Sequence, residues 1–323
     1  MELFNMGDKV EQKAEAEAGS NVTQAARDIN FHGPTLPQVI QTIDYQIEKQ
    51  FPVLLAQFAP QILEVEKKNI RDEVESFKTM LQSEVQSYYE KNMTNESEEE
   101  FAKKIMEKLV NSNFQYLIKE ATDDVIKKKQ KSSKELLVNL LMHKMQQDID
   151  DEDYHIDIII NSLKYLSKNH INFLTFHLLI RDYKPRKQNL SIREYYEKLV
   201  GSNTDESKIE AIKHSIRLDI KNFYIHLIHY FLRQEPKKVD IEFLEAQNLF
   251  FTQKHYIANL FEEIGNELLI DNPNENDIRE EIPELHALYK MYGLETKDEF
   301  HYALSSLGKK IAIQNYEVIK GNF

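Results

Sequence analysis

From Pro34 onward, apolar residues recur at steps of three and four over most of the chain, the spacing of one helix face. Val39, Ile40, Ile43 and Ile47 predict a short helix, entered through Thr35 or Leu36 near a cap, with Pro37 in the first turn. Pro52 and Pro60 are expected to interrupt the next stretch. Beyond Pro60, Ile62, Leu63, Glu66, Ile70, Val74, Phe77, Leu81, Val85 and Tyr88 predict one long helix ending before Asn92. Its single narrow stripe suits a facing helix, from the same chain or from another subunit.

The same periodicity continues. Ser97 with Glu100 has the form of a capping box. Phe101, Ile105, Leu109, Phe114, Leu117, Ile118, Ala121 and Val125 come next, with a break at Asn111-Ser112-Asn113. Ser132-Ser133 is read as the cap of a helix carrying Leu136, Leu137, Leu140, Leu141 and Met145. Further helices are expected over about 155–182, 191–200 and 205–234, and a long one over about 239–270. Phe77, Leu81, Leu140, Leu174, Phe223, Leu227 and Leu260 are the expected core.

Two places depart from the helical pattern. Val22 to Phe31, between Gly19 and Gly33, is β-branched and aromatic toward its end. A lone strand cannot satisfy its own backbone, and the helical remainder offers no evident sheet edge. Copies of this arm from several subunits would supply one another's edges, through Val22, Thr23, Gln24, Arg27, Asp28, Ile29 and Phe31. Near the other end, Pro283–Tyr292 is a predicted helix stopped by Gly293. A hairpin over 293–304 and a helix from Ser305 come after it, an order that resembles the second half of a winged-helix domain. The expected fold is therefore all-α, with an N-terminal β arm (1–33), a long-helix segment (34–92), a helical body (97–235) and a C-terminal helical domain with a winged-helix-like hairpin (236–323).

Composition sharpens this. Gly and Pro number 8 each, and cysteine is absent. Disulfides, Cys-based zinc sites and a Cys nucleophile are excluded together. Neither Gly-rich phosphate cradle occurs, so no nucleotide cofactor is expected. The N-terminal residues do not have the form of a signal peptide, and no apolar run is long enough to span a membrane; cytoplasm is the expectation. The chain holds 41 basic and 54 acidic side chains, a formal charge of −13, which opposes general nucleic-acid coating.

Candidate chemistry is sparse. His226 and His229, three apart on one helix, have the spacing of two metal ligands, but no third ligand is evident. Arg279 and His286 have the spacing seen in a class of helical RNA-cutting domains, where His would move a proton and Arg would hold phosphate charge. Pro283 falls between them. Arg181, Lys184, Arg186, Lys187 and Arg193, interleaved with tyrosines, form the strongest basic patch and a candidate anion site. Asp148 to Asp153 is rich in acids but lacks the central Gly of a calcium loop. Residues 271–299 carry nine acids and three bases, so a helix there favours protein over phosphate.

Three stretches together resemble a family of uncharacterised bacterial proteins: Gly19 to Ile29, with Ala26 where that family has glycine; Asn113 to Ala121 with Leu163 to Leu174; and Ala303 to Ala312. The resemblance implies an accessory or antiphage-defence setting and assigns no catalytic residues. The resulting expectation is a non-enzymatic, self-assembling helical protein, with a second copy as partner through residues 21–32 and the 61–90 helix. A helical nuclease or nucleic-acid-binding effector is the competing expectation.

Overall fold

The computed structural model describes residues 34–58, 64–92, 98–128, 131–147, 154–182, 205–252, 260–294 and 302–322. The arm, the acidic loop at 148–153 and the 191–200 helix lie outside these. The described residues form thirteen α-helices and one two-stranded sheet. The chain divides into two compact units: the first runs to Lys127 and includes Lys144–Gln146, and the second comprises Lys128–His143 and Gln147–Phe323.

In the first unit, α1 (Leu36–Phe58) starts at Thr35, whose backbone N–H donates to Gln38 Oε1 at 2.8 Å, one half of a capping box. Leu36, Val39, Ile43, Ile47, Phe51 and Leu54 are buried, a stripe of three- and four-residue steps. The helix is longer than the pattern predicts because it runs through Pro52. Pro52 and Glu48, whose carbonyl loses its donor, both lie on the exposed face. α2 (Glu64–Asn92) turns Ile70, Val74, Phe77, Leu81, Val85 and Tyr89 inward and packs on α1 of the same chain. The intramolecular partner is thus present, while Glu66 is exposed and Tyr88 half-buried. α3 (Glu98–Val110) packs on α1 as well, Gln46 Nε2 donating to the Leu109 carbonyl at 2.5 Å, and its Phe101 meets Tyr88 and Tyr89 of α2 at 5.2 and 5.3 Å. Asn111 ends α3 and caps α4 (Ser112–Lys128), its Oδ1 accepting from the N–H groups of Asn113 and Phe114.

In the second unit, which holds α5 (Lys131–Gln146) as far as His143, that helix starts one residue before the predicted serine cap. The expected helix over 155–182 is two: α6 (Tyr154–Leu163) and α7 (Lys168–Asp182). They part at Ser167, whose N–H donates to His170 Nδ1 while Ser167 Oγ accepts from His170 N–H. Every residue from Ile171 to Ile180 is buried, so α7 is covered on all sides. α8 (Glu206–Leu232) and α13 (Ser306–Ile319) both pack on it. Asn315 donates to Thr175 Oγ1 at 2.9 Å, and that hydroxyl donates to the Ile171 carbonyl at 2.8 Å, a buried polar link between α13 and α7.

The long helix expected over 239–270 does not form. α9 (Ile241–Ala246) is closed by Asn248 at φ 54°, with Leu249 N–H returning to the Leu244 carbonyl. Phe250–Thr252 then forms β1, and α10 (Leu260–Glu267) comes after the segment 253–259. β1 pairs antiparallel with β2 (Tyr302–Leu304), Phe250 opposite Leu304. The strand expected near 302 therefore exists, but its partner is β1; Leu294 lies in no strand. Ser305 N–H donates to the Leu249 carbonyl, and Ser305 Oγ caps α13 by accepting from Gly308 N–H. A Cβ on Gly308 would sit 1.9 Å from that same carbonyl oxygen, which is why glycine stands there.

Candidate functional site

α11 (Glu275–Glu281) and α12 (Pro283–Tyr292) are separated by Ile282, with φ −131° and ψ 68°. Pro283 occupies the first turn of α12, where its missing N–H costs nothing, and Gly293 ends the helix at φ 90°. Leu285, Leu288, Tyr289 and Tyr292 face inward; Tyr289 lies 5.5 Å from Phe176, and Tyr292 lies 5.2 Å from Phe173. The opposite face carries Pro283, Ala287 and Met291, each exposed and one turn apart. Met291 is 44% exposed. Exposed Glu280 and Lys290 flank this stripe. The helix is therefore anchored by an aromatic face and presents an apolar one.

The residues singled out by spacing and charge are dispersed. Arg279 and His286 lie on different helices, as Pro283 implied. The Arg279 guanidinium meets Glu275 at 2.7 Å and donates to Asn276 Oδ1 at 3.0 Å. His286 is half-buried. His226 and His229 are both exposed on α8. Among the described residues, no group of three His, Cys, Asp or Glu is placed to hold a metal ion. Arg181, at the end of α7, donates from Nη1 to the Tyr302 carbonyl at 2.5 Å, which engages it with β2. Lys184, Arg186, Lys187 and Arg193 lie outside the described residues, as do Val22, Thr23, Gln24, Arg27, Asp28, Ile29 and Phe31 of the arm.

Two charged or polar centres are not evident from the sequence. In the first unit, Lys78 Nζ lies 3.5, 3.1 and 2.8 Å from Asp44, Glu48 and Glu75. Burial works against the Lys78 charge, but hydrogen bonds to Glu75 and Glu48 outweigh it and raise its pKa; the bond to Lys78 lowers that of Glu75. A cleft of about 260 Å³ beside them is lined by Glu48, Phe51, Arg71, Val74 and Glu75. The lysine is a fixed cation there and not a nucleophile. The second centre is His177, buried among rings on α7. Its position inside an apolar run was the available signal. For Lys78 the local signal was only Glu75, three residues away; Asp44 and Glu48 come from another helix.

Among the described residues no helix is long and apolar enough to cross a membrane. No curated protein and no solved structure matches the chain. One family model, described only as ":-like", matches residues 57–323, more than four fifths of the sequence. The chain belongs to that uncharacterised family.

Proposed function

We propose that this is a non-enzymatic, self-assembling helical protein that acts through protein–protein contacts, in a bacterial accessory or antiphage-defence setting. The observation that carries the protein-contact reading is the outer face of α12. Pro283, Ala287 and Met291 form an exposed apolar stripe on a helix whose neighbourhood is strongly acidic. Such a face repels phosphate and suits another protein surface. A winged-helix-like unit remains part of this reading, supported by β2 standing between α12 and α13, with β1 as its partner in place of the expected hairpin strand. Copies would join through the arm at 21–32, argued from its sequence alone. The defence setting rests on the family resemblance.

The competing reading, a nuclease or nucleic-acid-binding effector, uses Arg279 with His286 or the 181–193 patch. It has less support: Arg279 is held by Glu275, and Arg181 by the Tyr302 carbonyl. Light scattering on the full chain and on a Val22→Pro/Ile29→Pro variant decides the matter. Proline removes two strand donors, so the particle mass should fall while circular dichroism keeps its helical signal. An unchanged mass would remove the arm as the assembly device. RNA cleavage by the pure protein, lost in His286→Ala, would establish the effector instead.

A further inference from the structure

His177 joins three elements. Only 4% of its surface is exposed. Its ring lies 4.5 and 5.9 Å from Phe173 and Phe176 on its own helix, 4.9 Å from Phe250 on β1 and 5.5 Å from Tyr289 on α12. Among the described residues, Nε2 has no hydrogen-bond partner. One turn along α7, Arg181 holds the Tyr302 carbonyl of β2. α7 thus grips both strands of the small sheet, β1 through an uncharged ring and β2 through a cation.

We propose that His177 makes this seam an acid-opened latch: the ring takes up a proton only when Phe250 and Tyr289 part from α7, so acid releases the β1–β2 pair. Among the described residues, the charge bearing on the ring is that of Arg181, which opposes a second positive charge in the closed seam. Arg181 on α7 itself and Tyr289 on α12 face the ring; Tyr292 packs beside them on Phe173 and Phe176, Tyr302 of β2 stacks behind Phe250, and β1 supplies no titratable side chain. Tyr292 is itself fully buried, and burial raises its pKa, so it stays a neutral phenol.

Linkage gives the sign. Burial first, and the Arg181 charge second, push the His177 pKa from 6.5 down to about 3. A ring exposed to water regains its ordinary affinity. Below pH 6.5 the open form binds a proton that the closed form does not, so the opening equilibrium rises as pH falls, approaching about tenfold per pH unit. By pH 5 it should be about 25-fold higher than at neutral pH.

Hydrogen exchange on the full chain from pH 7 to 5, corrected for intrinsic rates, reads this directly. Peptides spanning Phe250–Thr252 and Tyr302–Leu304 should open about 25-fold more often at pH 5 than at pH 7, with α1 and α2 unchanged. His177→Phe, which keeps an aromatic ring and cannot titrate, should flatten the profile. The same slope in that variant, a flat profile in the wild type, or equal acceleration across α8 and α13 would each overturn the latch. Should His177→Phe fail to fold, titration of the wild-type histidine rings by NMR takes its place. A His177 ring titrating between pH 6 and 7 in the closed protein would be fatal to the proposal.

Discussion

At the residue scale, close approach and backbone sign explain several identities that hydrophobic patterning leaves open. Gly308→Ala would drive a methyl into the Leu249 carbonyl and push α13 off its seat. The loss should be about 1–3 kcal/mol, the cost of overpacking, read by urea denaturation. Glu235 is exposed and holds φ 52° just past α8. Glu235→Gly relieves that conformation at some cost in unfolded-chain entropy, so a net gain of about 0.5 kcal/mol is expected from thermal melts. Periodicity places Phe223 in the core, yet it is half-buried. Its neighbour Tyr224 is the buried ring, donating to Glu267 at 2.5 Å. Periodicity locates a face but cannot choose between adjacent aromatics when a tyrosine finds a buried acceptor. Phe77, Leu81, Leu140, Leu174, Leu227 and Leu260 are buried as expected.

At the scale of elements, long amphipathic helices were legible, as was the break at Asn111, but the interruptions at Ser167 and Asn248 were not. α2 was legible because its stripe never breaks; Leu81→Ala within it should cost about 2–5 kcal/mol in urea denaturation. The 239–270 stretch misled because its apolar residues keep helical steps across Asn248, while the strand after it is only three residues long. What makes that strand is a partner some fifty positions away, and no local pattern records it. Between α1 and α2, Lys78 ties three carboxylates. Lys78→Met leaves Asp44, Glu48 and Glu75 facing one another. Since those acids are partly exposed, a loss of about 1 kcal/mol is expected, shrinking at high salt. The pH signs bracket the clamp. The lowered Glu75 pKa makes its contribution present above 4.5 and lost as pH falls; the raised Lys78 pKa makes its contribution present below 10.5 and lost as pH rises.

At the scale of the whole molecule, the all-α class was readable from low Gly and Pro and from the three-to-four spacing. The candidate contact face was half readable. The bounds of α12 follow from Pro283 and Gly293, but its outer stripe emerges only once Leu285, Leu288, Tyr289 and Tyr292 are seen to face inward. If that stripe serves contact and not folding, Ala287→Glu with Met291→Glu should leave stability within about 0.5 kcal/mol in the same urea assay. A larger loss would mean that these residues belong to the core.

The full enclosure of α7 also sets an order of events during synthesis. Residues 171–180 are covered in part by α13, which leaves the ribosome well over a hundred residues later, and Asn315 must arrive before its bond to Thr175 can link the two helices. Until then the nascent chain carries a helix with an uncovered apolar side. That window, more than any weakness of the finished protein, is where chaperone capture or aggregation would act, and a chain stopped before Ser306 would never leave it.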